Sequence, residues 1–301
     1  MLTVNGMNIL NRTHLEATEG IPCFENPEII KLGWVIHAFL TRQGGRSLSP
    51  YHSLNISFSN GDEKKTVSSN RDRITEAFGF DRNRLVLLKQ MQLDGILILK
   101  GAADANPTPL KYDAMITDIP NQFLGIRTAD CIPIFVVDRK RRVIAAIHAG
   151  RQGTALQITK KVLRKMKEEL GCSGKDLLIT LGPSIGPCCY EIDEKVFLKE
   201  WEPFSIGKGM GKWMVDLARI NMAQLEEEGI KEDQIYRVDL CTRCHNDLFF
   251  SYRGEGRTGR QLSFIGIIKK KGVEGSRSQG LKVFSKELNV GLNPGTLDSF
   301  F

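Results

Sequence analysis

Short apolar runs separated by polar turns dominate the middle of the chain. Residues 33–41 are strand-like and lead into a turn at 42–45 that contains two glycines. Further strand-like segments lie at 85–88, 96–99, 114–117, 123–127, 132–137, 143–148, 177–181, 235–239 and 262–268. The segments at 132–137 and 143–148 are almost continuously apolar, which is typical of strands covered on both faces.

Three longer segments have helical periodicity. Apolar residues share one face at 63–78 and at 154–170, and Gly171 ends the second segment. A third helix is predicted at 216–228. Many strands with few helices indicate an α/β fold, a single domain of mixed β-sheets flanked by helices. We expect this domain over 31–268, with residues 1–30 as a loosely attached N-terminal extension and 269–301 as a basic, flexible tail.

Composition narrows the functional classes. The 301 residues are 41% hydrophobic and 26% charged, which is ordinary for a globular protein. No apolar run approaches the roughly 20 residues that span a bilayer, and no signal peptide is recognisable, so we expect a cytoplasmic protein without membrane contact. The net charge of +7 comes without an aromatic-interleaved basic stripe, which argues against nucleic acid and leaves an anionic substrate such as phosphate. The oligomeric state is undefined by these features.

The seven cysteines indicate reduced thiols, because their number is odd and the chain is too large for a disulfide scaffold. Cys131 opens one predicted strand and His148 ends the next. In an antiparallel hairpin the start of one strand faces the end of its partner, so the two side chains can meet. The pair can act as a thiolate nucleophile with its base, or as two zinc ligands. A buried cysteine and an unrelated histidine fit the spacing equally well.

Three further segments have motifs that resemble functional sites. The turn at 182–191 carries Cys188, Cys189 and Tyr190, and it fits either a pocket in which Tyr190 stacks on a planar base or a structural loop. The C-x-x-C-H run at 241–245 matches haem attachment, but no export signal accompanies it and it offers few zinc ligands, so we interpret it as coincidental. The glycine-rich segment 207–213 is expected to be a flexible loop.

A set of motifs in a fixed order resembles the YfiH family, also called multicopper polyphenol oxidase or laccase-domain proteins. The matching stretches are HAFLTRQGG (37–45), PYHSLN (50–55), NR (70–71), TADC (128–131), HAG (148–150), GPSIGPCCYE (182–191), CT (241–242) and FFSYR (249–253). The resemblance implies a CNF/YfiH-like fold that has been likened to cysteine hydrolases. It also implies phosphorolysis of adenosine, inosine or methylthioadenosine, and deamination of adenosine, so the expected partners are a purine nucleoside and phosphate.

The resemblance further implies a zinc site of two histidines and one cysteine, in which Cys131 and His148 match two ligands and are the expected catalytic residues. Gln92 stands where the family usually has the other histidine, and an amide oxygen is a poor zinc ligand beside imidazole. Arg42 and Arg71 lie in matched stretches and are candidates for holding phosphate. The remaining predicted substrate-binding residues are Asn55 and Tyr190.

Two alternatives remain open. Cys131 with His148 as base would suit a thiol hydrolase or amidase that edits peptidoglycan precursors. Substitutions at Gln92, Arg151 and Gln152 would suit a degenerate homologue that only binds nucleosides. The oxidase name has little support, because laccase-type copper centres need many histidines and the chain has five.

Overall fold

The fold is built around two large β-sheets packed face to face. The computed structural model describes residues 2–4, 7–10, 15–101 and 111–268. The strands are β1 (Leu2–Val4), β2 (Met7–Leu10), β3 (Leu15–Thr18), β4 (Ile21–Phe24), β5 (Val35–Leu40), β6 (Leu85–Leu87), β7 (Ile96–Leu99), β8 (Ala114–Thr117), β9 (Phe123–Thr128), β10 (Ile132–Asp138), β11 (Val143–Ala149), β12 (Leu177–Leu181), β13 (Glu191–Asp193), β14 (Ser205–Gly209), β15 (Lys212–Val215), β16 (Ile235–Val238) and β17 (Gln261–Ile267). The helices are α1 (Pro27–Ile30), α2 (Lys64–Ala77), α3 (Arg151–Ala155), α4 (Ile158–Leu170), α5 (Leu217–Glu227) and α6 (Tyr252–Glu255).

The first sheet has eight strands in the order β1-β2-β16-β12-β10-β11-β8-β7. Strand β10 is antiparallel to both β11 and β12, whereas β7–β8, β12–β16 and β16–β2 pair in parallel, so the sheet is mixed. Successive β10 side chains face opposite layers. Ile134 packs with Val162 of α4, and Phe135 packs with the second sheet, its ring centroid 4.6 Å from that of Phe39. Both faces are therefore buried, which explains the continuous apolar sequence of these strands.

The second sheet has six strands in the order β3-β4-β5-β17-β9-β6. Strand β17 lies antiparallel between β5 and β9. Helix α2 covers the outer face of this sheet through Ile74 and the adjoining Phe78, whose ring centroid lies 4.9 Å from that of Phe264. The layers are thus helix, sheet, sheet and helix, which confirms the predicted α/β domain of mixed sheets.

Two segments differ from their predicted local structure. The helix predicted at 154–170 is divided into α3 and α4, because Gln157 has a left-handed φ of 58°. The segment 207–213 belongs to β14, β15 and their turn, so the expectation of a flexible loop was wrong. Glycine at a positive φ, as in Gly211, allows this tight turn despite its loop-like composition.

The two predicted flanking segments have different outcomes. Within 1–30, β1 and β2 extend the first sheet, while β3, β4 and α1 join the second sheet, with Ile21 and Ile29 fully buried. This packing replaces the expected loose attachment for the described part of that segment. The predicted tail at 269–301 lies outside the described residues. Among the helices of the described ranges, none is long and apolar enough to cross a membrane.

Candidate active site

The β10–β11 hairpin brings Cys131 and His148 together. Pro133 pairs with His148 and Ile132 with Ala149, so Cys131 and Gly150 follow at the same end of the hairpin. A Cβ added to Gly150 would lie 2.9 Å from the Cys131 Sγ and 3.9 Å from the His148 Cε1. The thiol and the imidazole therefore converge around a glycine that leaves room for both.

Asp113, which sequence reasoning missed, orients the imidazole. Its fully buried carboxylate accepts a hydrogen bond from the His148 Nδ1 at 2.8 Å. It also accepts backbone N–H groups from Met91 (3.0 Å), Gln92 (2.9 Å) and Leu93 (2.9 Å). An ionised acceptor fixes the hydrogen on Nδ1 and leaves Nε2 free for a proton or a metal ion.

Electrostatics favour a charged His148 in the metal-free protein. Burial lowers the pKa of His148, but the negative charge of Cys131 and the hydrogen bond to Asp113 outweigh burial and raise it to about 9. Burial raises the pKa of Asp113, but the hydrogen bonds from His148 and from the Leu93 N–H keep it below its ordinary value. Because metal ligation needs a neutral imidazole, protons and metal compete for this ring.

The backbone of Gln92 lies next to His148 and Asp113. It has a left-handed φ of 60°, and its N–H binds the same Asp113 oxygen that accepts from His148. Its side chain is exposed. A thiolate, and an imidazole backed by a carboxylate, are donors that suit zinc, and Gln92 as a third ligand stays a prediction.

Asp130, the residue directly before Cys131, has a strained backbone conformation. Its φ of 93° is unusual for a residue other than glycine. The carboxylate accepts hydrogen bonds from Thr242 Oγ1 and Ser251 Oγ, each at 2.7 Å, and from the backbone N–H of Arg253 at 2.6 Å. The Asp130 carbonyl oxygen accepts the Ile185 N–H at 2.9 Å. These contacts fix the backbone from which the Cys131 thiol projects.

Arg260 lies within electrostatic range of the same thiol, and two further arginines are coupled to it in series. Burial lowers the pKa of Arg260, while the charges of Cys131 and Asp130 oppose that shift. Burial and the charge of Arg260 lower the pKa of Arg127. Burial and then the charge of Arg127 lower the pKa of Arg71 to about 10. Like charges thus act between Arg71 and Arg127 and between Arg127 and Arg260, and an anion bound beside them would offset this repulsion.

Tyr190 also lies within electrostatic range of Cys131. Burial raises its pKa to about 12, the charges of Arg253 and Arg151 oppose the rise, and the charge of Cys131 adds to it. The Arg253 guanidinium carbon stands 5.0 Å from the centre of the Tyr190 ring, within cation–π range. Both Arg151 and Arg253 therefore add positive charge around the thiol.

The other predicted substrate-binding residues support the loops around the site. Asn55 is buried and its Oδ1 accepts the Arg260 N–H at 2.9 Å, while Arg71 donates to the Ile56 carbonyl at 2.9 and 2.7 Å. Arg42 forms an ion pair with Glu255 at 2.8 Å. These contacts are intramolecular, and direct contact of Arg42, Asn55 or Arg71 with substrate stays a prediction.

The fold and the Cys–His–Asp arrangement define an α/β protein with a candidate nucleophile or metal site at the end of a central hairpin. A family model described as multi-copper polyphenol oxidoreductase laccase matches residues 36–268, and the chain belongs to that family. The YfiH resemblance is confirmed by solved structures. YfiH from Bacillus licheniformis has a TM-score of 0.76 at 32% identity, covering 82% of this chain and 96% of that one.

YlmD from Geobacillus stearothermophilus also has a TM-score of 0.76, at 29% identity, covering 83% of this chain and 96% of that one. Among curated relatives, a Bacteroides thetaiotaomicron protein named purine nucleoside phosphorylase is 35% identical, covering 78% of this chain and 92% of that one. The Bacillus subtilis purine nucleoside phosphorylase YlmD is 31% identical, covering 77% of this chain and 88% of that one.

Proposed function

We propose that the chain is a purine nucleoside phosphorylase acting on adenosine, inosine or methylthioadenosine, with adenosine deaminase-type activity at the same site. The observation that carries the proposal is the convergence of Cys131 with His148 and the Asp113 carboxylate at one end of the hairpin, with Arg260 within range of the Cys131 charge. The names of the relatives support the same reaction. A positive charge at Arg260 beside the thiol suits an anionic co-substrate such as phosphate.

In phosphorolysis, a phosphate oxygen forms a bond to C1′ of the ribose while the bond from C1′ to the purine nitrogen breaks. The electron pair of the broken bond stays on the purine, which takes up a proton, and the products are ribose 1-phosphate and the free base. Arg260 and Arg127 would hold the phosphate and offset its charge as it approaches the sugar. Tyr190 would contact the base.

Cys131, His148 and Gln92 would hold a zinc ion, which supplies Lewis acidity for activating water in deamination. Asp113 keeps the Nε2 of His148 directed to that position, and Asp130 fixes the backbone of Cys131. The donor set does not suit a laccase-type copper centre, which needs several histidines, because His148 is the imidazole that meets Cys131 here.

The direct test is phosphate-dependent release of hypoxanthine from inosine by the purified, zinc-loaded protein. We expect release that depends on both phosphate and inosine. Formation of inosine and ammonia from adenosine without phosphate would report the deaminase activity. A folded, zinc-loaded sample that releases no base would overturn the phosphorylase proposal.

Arg260→Gln tests the phosphate-binding role. We expect the KM for phosphate to rise about tenfold or more, because a charge-assisted contact is lost, while Arg260→Lys retains part of the affinity. Arg139→Gln is the matched control, since Arg139 lies in the hairpin loop at the other end of β10 and β11. Equal phosphate KM values in wild type and Arg260→Gln would remove Arg260 from the site.

Iodoacetamide separates this proposal from the thiol hydrolase. The hydrolase would lose activity rapidly in the metal-free state, with Cys131 as the alkylated residue. For a zinc-dependent site we expect zinc to protect Cys131 from alkylation. Full activity of the untreated protein without zinc, together with rapid inactivation of that protein by iodoacetamide, would favour the hydrolase.

A further inference from the structure

Four cysteines outside the active site meet at one point. Cys188 and Cys189 lie in the turn before β13, and Cys241 and Cys244 follow β16. The Cys244 Sγ lies 3.5 Å from that of Cys188 and 3.4 Å from that of Cys189. All four sulfurs lie within 4.8 Å of one another. Cys131 is not a member of this group, which we call the four-cysteine cluster.

We propose that the four-cysteine cluster is a structural zinc site in which one Zn²⁺ is bound by four thiolates. With Zn–S bonds of about 2.3 Å, tetrahedral geometry places the sulfurs about 3.8 Å apart, within the range observed here. Such a closed site leaves no open position for substrate, so its role is to hold the backbone. A four-iron cluster would bind each thiolate through a different iron and would hold the sulfurs further apart.

The backbone around Cys241 is already arranged for a metal-bound sulfur. The Gly186 N–H donates to the Cys241 Sγ at 3.2 Å. A Cβ on Gly186 would lie 3.3 Å from the Cys241 Cβ and 3.4 Å from the Cys188 Sγ, so the loop approaches closely because glycine stands there. Hydrogen bonds from backbone N–H groups to ligand atoms orient them and tune the metal site.

Four thiols this close together suit a metal ion. The thiolate, not the thiol, is the metal ligand, so binding of Zn²⁺ would release the protons of the cysteines. The short distances between the four sulfurs are then the distances that a shared cation requires.

The zinc would join two loops that support the active site. Ser184 and Cys241 form an isolated parallel bridge, with the Thr242 N–H donating to the Ser184 carbonyl at 3.0 Å. Thr242 in turn binds Asp130, and Tyr190 directly follows Cys189. Because Cys188 and Cys244 are exposed, a metal ion can reach the cluster from solvent.

The first experiment measures zinc in Cys131→Ser protein, in which the thiolate of the proposed catalytic site is removed. We expect one zinc per chain after brief EDTA treatment, and X-ray absorption showing four sulfur ligands at about 2.3 Å. This result does not depend on phosphorylase activity. Purified protein without zinc that also fails to bind added zinc, or that binds iron with the visible spectrum of an iron–thiolate centre, would overturn the proposal.

The second experiment uses Cys188→Ser and Cys244→Ser, which replace the two exposed sulfurs. Each is expected to lose the EDTA-resistant zinc, whereas Cys172→Ala, at a buried cysteine elsewhere, keeps it. Cobalt substitution of wild-type protein provides a measurement without a variant, with intense sulfur-to-cobalt bands expected for four thiolates. Disulfides between these cysteines in protein purified under reducing conditions, or full zinc retention in both serine variants, would contradict the site.

Discussion

Asp113→Asn isolates the residue that orients His148. The wild-type carboxylate accepts four hydrogen bonds, three from backbone N–H groups and one from the imidazole. An amide has one acceptor oxygen, and its NH₂ group would face N–H donors that it cannot satisfy. Breaking a buried charge pair in this way costs about 3–5 kcal/mol of the free energy of unfolding.

The variant also changes the pH dependence of stability in protein whose Cys131–His148 site is metal-free. The His148 pKa is raised from 6.5 to about 9, a difference that corresponds to about 3 kcal/mol. Because the pKa of His148 is higher in the folded protein, its protonation stabilises the folded state. This contribution to the free energy of unfolding is fully present below the unfolded-state pKa of 6.5 and is lost as the pH rises through about 9. We therefore expect the difference in free energy of unfolding between wild type and Asp113→Asn to become smaller as the pH rises from 6.5 to about 9.

Two measurements check this reasoning. Titration of the His148 ring by NMR should give a lower pKa in Asp113→Asn, and urea denaturation from pH 6 to 10 should show this difference becoming smaller. Asp138→Asn is the matched control, because Asp138 is also buried and caps the turn of the same hairpin without touching His148. An unchanged His148 pKa in Asp113→Asn would refute the orienting role.

The remaining predictions concern the space around the thiol and the third ligand. Gly150→Ala puts a methyl group 2.9 Å from the Cys131 sulfur, so we expect zinc affinity and turnover to fall about tenfold or more. Gly174→Ala, with its nearest neighbour at 3.6 Å, should change neither quantity, and equal behaviour of the two variants would show that the thiol tolerates displacement. Gln92→His should raise zinc affinity at least about tenfold by isothermal titration, and an unchanged affinity would exclude this position as a ligand.

The parts of the fold that follow local patterns could be predicted from the sequence. The apolar runs of β10 and β11 predict strands, and their antiparallel pairing predicts that Cys131 meets His148. Asp113 escaped this reasoning because its partner lies 35 positions away along the chain. The available signal was its position before β8, whose start faces the end of β11 in an antiparallel pair.

The four-cysteine cluster shows where local patterns fail. The C-x-x-C-H run at 241–245 supplies only part of a ligand set, so the sequence alone favours a coincidental match. The missing ligands lie in the 182–191 turn, which reaches the same point because β12 and β16 are parallel neighbours. Parallel pairing of strands so far apart along the chain cannot be derived from periodicity. Only the tertiary structure therefore shows that the four cysteines meet.

The same strand pairing connects the cluster with the active site. Loops that leave β12 and β16 at one sheet edge carry both the four cysteines and the groups that bind Asp130. These groups bind the carboxylate of Asp130, whose positive φ sets the course of the backbone into Cys131. A metal ion in the cluster would thus stabilise the backbone that leads into Cys131, the proposed catalytic thiol, without touching the substrate.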